Sequence, residues 1–449
     1  RGEKHDAVAR DLGISRREFY RERRRALERL ASTLEREFST PLEPARIRPS
    51  EFELRLQYAS SLHLVGRFDA ALCELERSTT QDAAAGERIR ALCYGVEVAC
   101  DGGNPSYATR MLDSAADMLD SIEDDERESA GSSAFVALGR GTLAWRTGNI
   151  DEALRAYEFA ARSFRPLATS NDRVMLDALV TTLLRIADVF SESGLPDKAL
   201  AAVGEARSIG DRTPHPAILQ RGDIAAALGS AHAVMTGGLS SAIDELQEAF
   251  AIYQRHHAIR RAVKTSNELS VLFMQREDFE ASLRYGRTAQ GVAQSVCSND
   301  EFAYMCLNLS YAEARGGHPE RALALTKQAR GLVGSGSFLA ALCTLADAEA
   351  RLAAHQFDAA IRASKSANQA MTLLGGQRYV GAALRIEAEA HEKLGELPAA
   401  IDRIATAIDL LQGYGHPFSL VQAYRCSARV SGSHTHRDAA ADLMATLQM

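Results

Sequence analysis

Side chains able to ligate a metal or carry a covalent step are scattered along this chain rather than gathered. Seven cysteines, Cys73, Cys93, Cys100, Cys297, Cys306, Cys343 and Cys426, form no CxxC pair, so neither a zinc site nor a disulfide framework is suggested and a reducing, cytoplasmic setting is expected. Cys93 and Cys100 lie seven apart and could share a helix face; the expected role is that of small buried hydrophobes. His434 with His436, and His256 beside His257, lack the carboxylate or cysteine set that completes a metal site. No metal and no cofactor is therefore expected. GGNPSYATR and GLVGSGSF contain glycines without the GK[ST] ending that holds a phosphate and Mg²⁺, and neither a GxSxG elbow nor an HExxH helix occurs. The chain is expected not to be an enzyme, which leaves recognition as its chemistry.

Recognition chemistry is densest in the first 40 residues. The stretch SRREFYRERRR places Ser15, Arg16, Arg17, Glu18, Tyr20, Arg21, Arg24 and Arg25 in one run. Upstream, Ala9 precedes Gly13 by four residues, and Ile14 and Phe19 flank a turn; a small residue at the crossing point and glycine in the turn suit two helices meeting at a steep angle. Ser15 is a fitting N-cap, and Glu18, three residues on, completes a capping box. The second helix is expected from Arg16 to about Phe38.

This arrangement resembles a DNA-binding helix-turn-helix, and YRERRRALERLA is similar to the recognition helix of the last domain of bacterial sigma factors and related response regulators. The resemblance covers residues 4–31. It implies that Ser15, Arg16, Arg17, Glu18, Tyr20 and Arg21 face the major groove, where an arginine can bond two acceptors of guanine. Lys4, Arg10, Arg24 and Arg25 are then placed to meet phosphates. The helix that braces such a pair in that family would precede Arg1, so the module at 1–38 is expected to be N-terminally incomplete. A plain amphipathic capping helix is the alternative for this segment.

Residues 39–50, STPLEPARIRPS, hold Pro41, Pro44 and Pro49 and are expected to be a stiff linker. From 51 to 449 one pattern recurs. Ala71, Ala108, Ala153, Ala199, Ala242, Ser282, Ala322, Ala360, Ala400 and Ala440 follow one another at 37 to 46 residues. Twelve residues before each lies Ala59, Val96, Gly141, Ala187, Ser230, Ser270, Ser310, Ala348, Ala388 or Ala428, and seven residues after come Ser78, Ala115, Ala160, Ala206, Ala249, Ala289, Ala329, Ala367 and Ala407; Leu447 alone breaks the rule. Antiparallel helices approach closely only where side chains are small. A glycine often stands five residues before the marker, as in GRFDAAL and GNIDEAL, where it can end one helix before the next begins.

The pattern resembles the tetratricopeptide repeat, whose period is about 34 residues. The resemblance implies an all-α chain, its helix-turn-helix followed by a right-handed solenoid of about ten helix pairs whose first helices line a groove for a peptide or protein. In that family an asparagine on the first helix pairs with a ligand's backbone, which marks Asn308; Asn267 and Arg385 sit one position off that register. Arg255, Arg260, Arg261 and Lys264 could meet an acidic ligand, although a solvated turn is the preferred expectation for them.

Charge divides the chain in the same way. Residues 1–40 carry 11 Lys and Arg against 8 Asp and Glu, and the remainder 41 against 51, giving +3 and −10 for the total of −7. DNA contact is therefore expected only at the basic head. No apolar run of about 18 residues is present, so no membrane span is expected. The layout resembles that of the bacterial peptide-sensing transcriptional regulators, a resemblance that implies homodimerisation because paired heads read paired half-sites. The alternative is a non-enzymatic scaffold docking on RNA polymerase.

Overall fold

A computed structural model of the chain describes residues 50–79, 83–119, 122, 126–169, 172–212, 218–414 and 417–448. The segment expected to form a helix-turn-helix, with its eight DNA-binding candidates, and most of the expected linker lie outside the described residues. Two compact units are present, Arg1–Glu53 and Leu54–Met449, and the helical repeats make up the second.

Twenty helices and no strand occur among the described residues, arranged as ten hairpins. They are α1 (Glu51–Leu64) with α2 (Phe68–Ser78), α3 (Ala85–Asp101) with α4 (Pro105–Leu119), α5 (Glu126–Arg146) with α6 (Ile150–Leu167), and α7 (Arg173–Glu192) with α8 (Pro196–Arg212). Next come α9 (Ile218–Ala233) with α10 (Leu239–Arg255), α11 (Ile259–Gln275) with α12 (Phe279–Val296), and α13 (Asn299–Arg315) with α14 (Pro319–Arg330). The last three are α15 (Phe338–Ala353) with α16 (Phe357–Leu373), α17 (Gln377–Lys393) with α18 (Leu397–Tyr414), and α19 (Pro417–Ser431) with α20 (His434–Gln448).

The small residues sit where the helices cross. All ten markers are buried, nine of them with no exposed surface. At three serine positions the hydroxyl is satisfied across the crossing: Ser270 Oγ donates to the Ser282 carbonyl at 2.8 Å, Ser282 Oγ to the Ser270 carbonyl at 2.7 Å, and Ser310 Oγ to the Ala322 carbonyl at 3.2 Å. The first and second members of the trio therefore touch, as close packing requires. The turn five residues before the marker takes a left-handed backbone at nine of ten hairpins. Glycine supplies it at seven, and Glu277 (φ 62°) and His355 (φ 59°) adopt it without glycine. Asn149 and Asp278 then cap the following helices by accepting from Glu152 N and Ala281 N.

First helices touch the next first helices, α3 with α5, α5 with α7, α7 with α9 and α11 through α19 in series, whereas successive second helices make no comparable contact among the described residues. The stack therefore curves with its first helices on the inner, concave side. All seven cysteines are free, and Cys93, Cys306, Cys343 and Cys426 are buried. Burial pushes the Cys306 and Cys426 thiols up to about 12, which leaves them inert packing groups.

Candidate ligand groove on the first helices

Helical periodicity aligns the polar residues of the inner layer. On α3, Tyr94, Glu97 and Asp101 fall at i, i+3 and i+7; so do Arg185, Asp188 and Glu192 on α7, and Arg261, Lys264 and Glu268 on α11. Intervening residues such as Val96, Val98, Leu183, Ile186, Val263 and Leu269 are buried and hold these faces in register.

Across the groove the charges meet partners far away in sequence. Asp101, at the end of α3, lies 2.9 Å from His63 Nε2 and 2.8 Å from Arg260 Nη1, and also pairs with Arg146. His63 Nδ1 is 3.0 Å from the Tyr94 hydroxyl. Arg260 reaches Glu301 at 2.7 Å, and Lys264 Nζ reaches it at 2.9 Å. Glu301 is itself anchored by Ser298 in the capping box that opens α13. Backbone contact accompanies this cluster: a Cβ added to Gly66, in the α1/α2 turn, would lie 2.3 Å from Val296 Cα at the end of α12. The first hairpins thus rest against the sixth and seventh, one superhelical turn further on. A second long-range contact joins Glu277 of the α11/α12 turn to Arg425 and Gln422 of α19.

Four carboxylates in this lumen behave in two ways. For Asp101, burial acts upward, but Lys264, Arg260 and Arg146 outweigh it and hold the carboxyl well below its usual range. Glu301 is likewise held low by Lys264 and Arg260 against burial. Asp188 is pushed up to about 6 by burial, which Arg185 at 3.5 Å offsets only in part. Glu268 is pushed up to about 7 by burial and then by Asp188. By its accessible surface the Glu268 residue is exposed.

No protein-family model matches the sequence, and no curated protein matches it significantly. Solved structures do. The apo form of the quorum sensor NprR from B. thuringiensis aligns over 80% of this chain and 100% of its own, with a TM-score of 0.53 at 10% identity. This is a tetratricopeptide-like α-solenoid. A signal-transduction ATPase with a tetratricopeptide repeat sensor from Pyrococcus horikoshii aligns over 77% of this chain and 52% of its own at a TM-score of 0.46 and 14% identity. A Rap protein complexed with competence and sporulation factor aligns over 88% and 99% at 0.41 and 14%. Identities this low speak to the fold alone.

Within the solenoid, Asn308 and Asn267 come together: Asn308 Nδ2 donates to Asn267 Oδ1 at 3.2 Å. Tyr304, on the same helix as Asn308 and hydrogen-bonded to it, is 48% exposed. Arg385 is elsewhere. It is 4% exposed and held by Glu349 and Glu389, with Arg315 at 3.1 Å from Glu349. Two arginines keep the Glu349 carboxyl at about 2 against burial, so Arg385 serves a closed ion cluster. The expectation of a solvated turn at Arg255, Arg260, Arg261 and Lys264 holds only for Arg255, which is exposed. Arg260 is 5% exposed and lies at the centre of the clasp. Sequence reasoning missed Asp101, Glu97, Arg146, Arg185, Asp188, Glu268 and Glu301. For Glu97, Asp101, Arg185, Asp188 and Glu268 the signal was present as the i, i+3, i+7 spacing of polar residues on first helices; Arg146 and Glu301 carry no such signal.

Proposed function

We propose that this chain is a non-enzymatic, ligand-responsive transcriptional regulator. Residues 1–38 bind DNA as a helix-turn-helix through Ser15, Arg16, Arg17, Glu18, Tyr20, Arg21, Arg24 and Arg25. The solenoid takes a peptide or protein segment in its groove and so controls the head. Two chains pair to read two half-sites. The observation that carries the sensing half of this reading is the polar lumen itself. Asn308, its amide paired with that of the buried Asn267, offers a group that donates and accepts as a peptide bond does, on the same helix as the exposed Tyr304. The likeness in fold to the quorum sensor NprR supports a sensing role.

Genome-wide DNA capture with the full-length protein, wild type against the Arg16→Ala, Arg17→Ala double variant, tests the regulator reading. Sites enriched by the wild type and lost in the variant are the expected result, with salt-dependent binding. Absence of enriched sites in both would sink DNA binding and leave an interaction scaffold, with RNA polymerase as the partner to try first.

A further inference from the structure

The clasp between superhelical turns carries more positive than negative charge. Three cations, Arg146, Arg260 and Lys264, surround two carboxylates, Asp101 and Glu301. Beyond these direct pairs, Asp188 and Glu268 also lie near Lys264, and Asp188 shares Arg185 with Glu97. Glu97 is taken by Arg185 at 2.5 Å, and Arg261 and Asp223 pair with each other at 2.8 Å. His63 contributes a ring hydrogen-bonded to Asp101 and to Tyr94, and no third carboxylate.

Two further observations point the same way. Arg260 Nε is buried without a hydrogen-bond partner, in a side chain 6% exposed. Leaving a buried donor of a charged group unsatisfied is costly, and such a donor is where an added acceptor gains most. Lys264 is held below its usual range first by burial and then by the nearby Arg260 and Arg146, which Asp101 and Glu301 offset only in part. The cluster is also open on one side. Arg146 and Lys264 keep 27% and 31% of their side-chain surface accessible, while Asp101 keeps 4%. Arg146 and Lys264 are the accessible members of the cluster, and Arg260 and Asp101 the enclosed ones.

We propose that Lys264, Arg146 and Arg260 form a binding site for a compact oxyanion, either the terminal carboxylate of a peptide lying in the groove or a free phosphate. This rests on the reading of the first-helix lumen as the ligand groove. One added negative charge balances the cluster, and an oxyanion bridging α5 and α11 tightens the contact between the first turn of the superhelix and the next.

The test uses the full chain, inorganic phosphate as probe, and ionic strength held constant with chloride. Phosphate is expected to raise the unfolding temperature of the wild type and of Arg165→Gln, a surface control on α6. The rise is expected to fall by at least half in Lys264→Gln and in Arg146→Gln, and to return in Lys264→Arg. Comparing variants removes the general stabilisation that phosphate gives any protein. An equal rise in wild type and Lys264→Gln, with both variants folded by circular dichroism, would overturn the site. A second arm measures binding of random hexapeptide pools with free or amidated C-termini. Preference for the free acid, lost in Lys264→Gln, assigns the site to a peptide carboxylate; a phosphate effect without peptide binding assigns it to a free anion. Equal binding of both pools without a phosphate effect sinks the anion site while leaving the peptide-sensing reading intact.

Discussion

Asp101 and Glu268 are carboxylates of the same lumen, on first helices of the same solenoid, and their environments drive them in opposite directions. Asp101 is almost wholly enclosed, yet it stays ionised because Lys264, Arg260 and Arg146 surround it. Glu268 is pushed up to about 7 by burial and then by Asp188, and Lys264 offsets too little. Burial acts on both alike; the count and sign of neighbours decides the outcome. The contrast separates the two regions by role. Around Asp101 the charges join one superhelical turn to another, and around Glu268 they leave a groove with charge to spare.

The largest effect expected from this contrast is on stability. Asp101→Leu leaves Arg260, Arg146 and Lys264 to share Glu301 alone in a largely enclosed cluster, a loss of about 3–5 kcal/mol by the usual cost of breaking a buried ion pair. Urea unfolding measures it, and a second change, Arg260→Met, is expected to recover most of the loss. Glu268→Gln at neutral pH is expected to shift stability by no more than about 0.5 kcal/mol. Equal losses in the two variants would erase the distinction between clasp and groove.

A smaller effect is expected in the pH dependence. Asp188 and Glu268 have folded values near 6 and 7, above the ordinary 3.8 and 4.5. The folded state therefore binds their protons more tightly, and the stability they contribute is present below those ordinary values and is lost as pH rises through 6 and 7. Asp101 and Glu301 have the opposite sign, since both are held low; their contribution is present above the ordinary carboxylate range and is lost as pH falls through their folded values. Unfolding temperature is expected to decline between about pH 4 and 7 in the wild type, the span from the ordinary to the raised values of the two groups. In the Asp188→Asn, Glu268→Gln double variant that decline is expected to flatten while the acid-side loss remains. A decline unchanged in the double variant would remove these two groups from the account.

The hairpins were legible in the sequence because close packing leaves a compositional mark at each crossing. Ala59 with Ala71, or Ser270 with Ser282, can be found by spacing alone. What joins one turn of the superhelix to the next was not legible. Asp101 and Arg260 are 159 residues apart in sequence, and their meeting depends on curvature summed over several hairpins, to which each small residue adds a little. Arg260 looks from its neighbours Arg255, Arg261 and Lys264 like part of a solvated basic turn; only the approach of α3 and α13 turns it into a buried ion pair. Asn267 and Asn308 stand one residue out of common register, and the helix phase that brings their amides together is finer than the repeat spacing resolves.

The smallest expected effect compares two turns that lack their glycine. Glu277 and His355 both hold a left-handed backbone, which costs an L-residue about 1 kcal/mol or somewhat more. His355 has only an edge contact to Phe357 to offset that cost, so His355→Gly is expected to stabilise the chain by up to about 1 kcal/mol. Glu277 uses the same backbone to reach Arg425 and Gln422 on α19. Both partners are part-exposed, and an ion pair of that kind contributes roughly 0.2–1 kcal/mol, so Glu277→Gly is expected to be near neutral. Chemical denaturation of the two variants side by side measures the difference. If Glu277→Gly stabilised as much as His355→Gly, the contact to α19 would contribute nothing, and the energetic weight of turn-to-turn contact would rest on the clasp at Asp101.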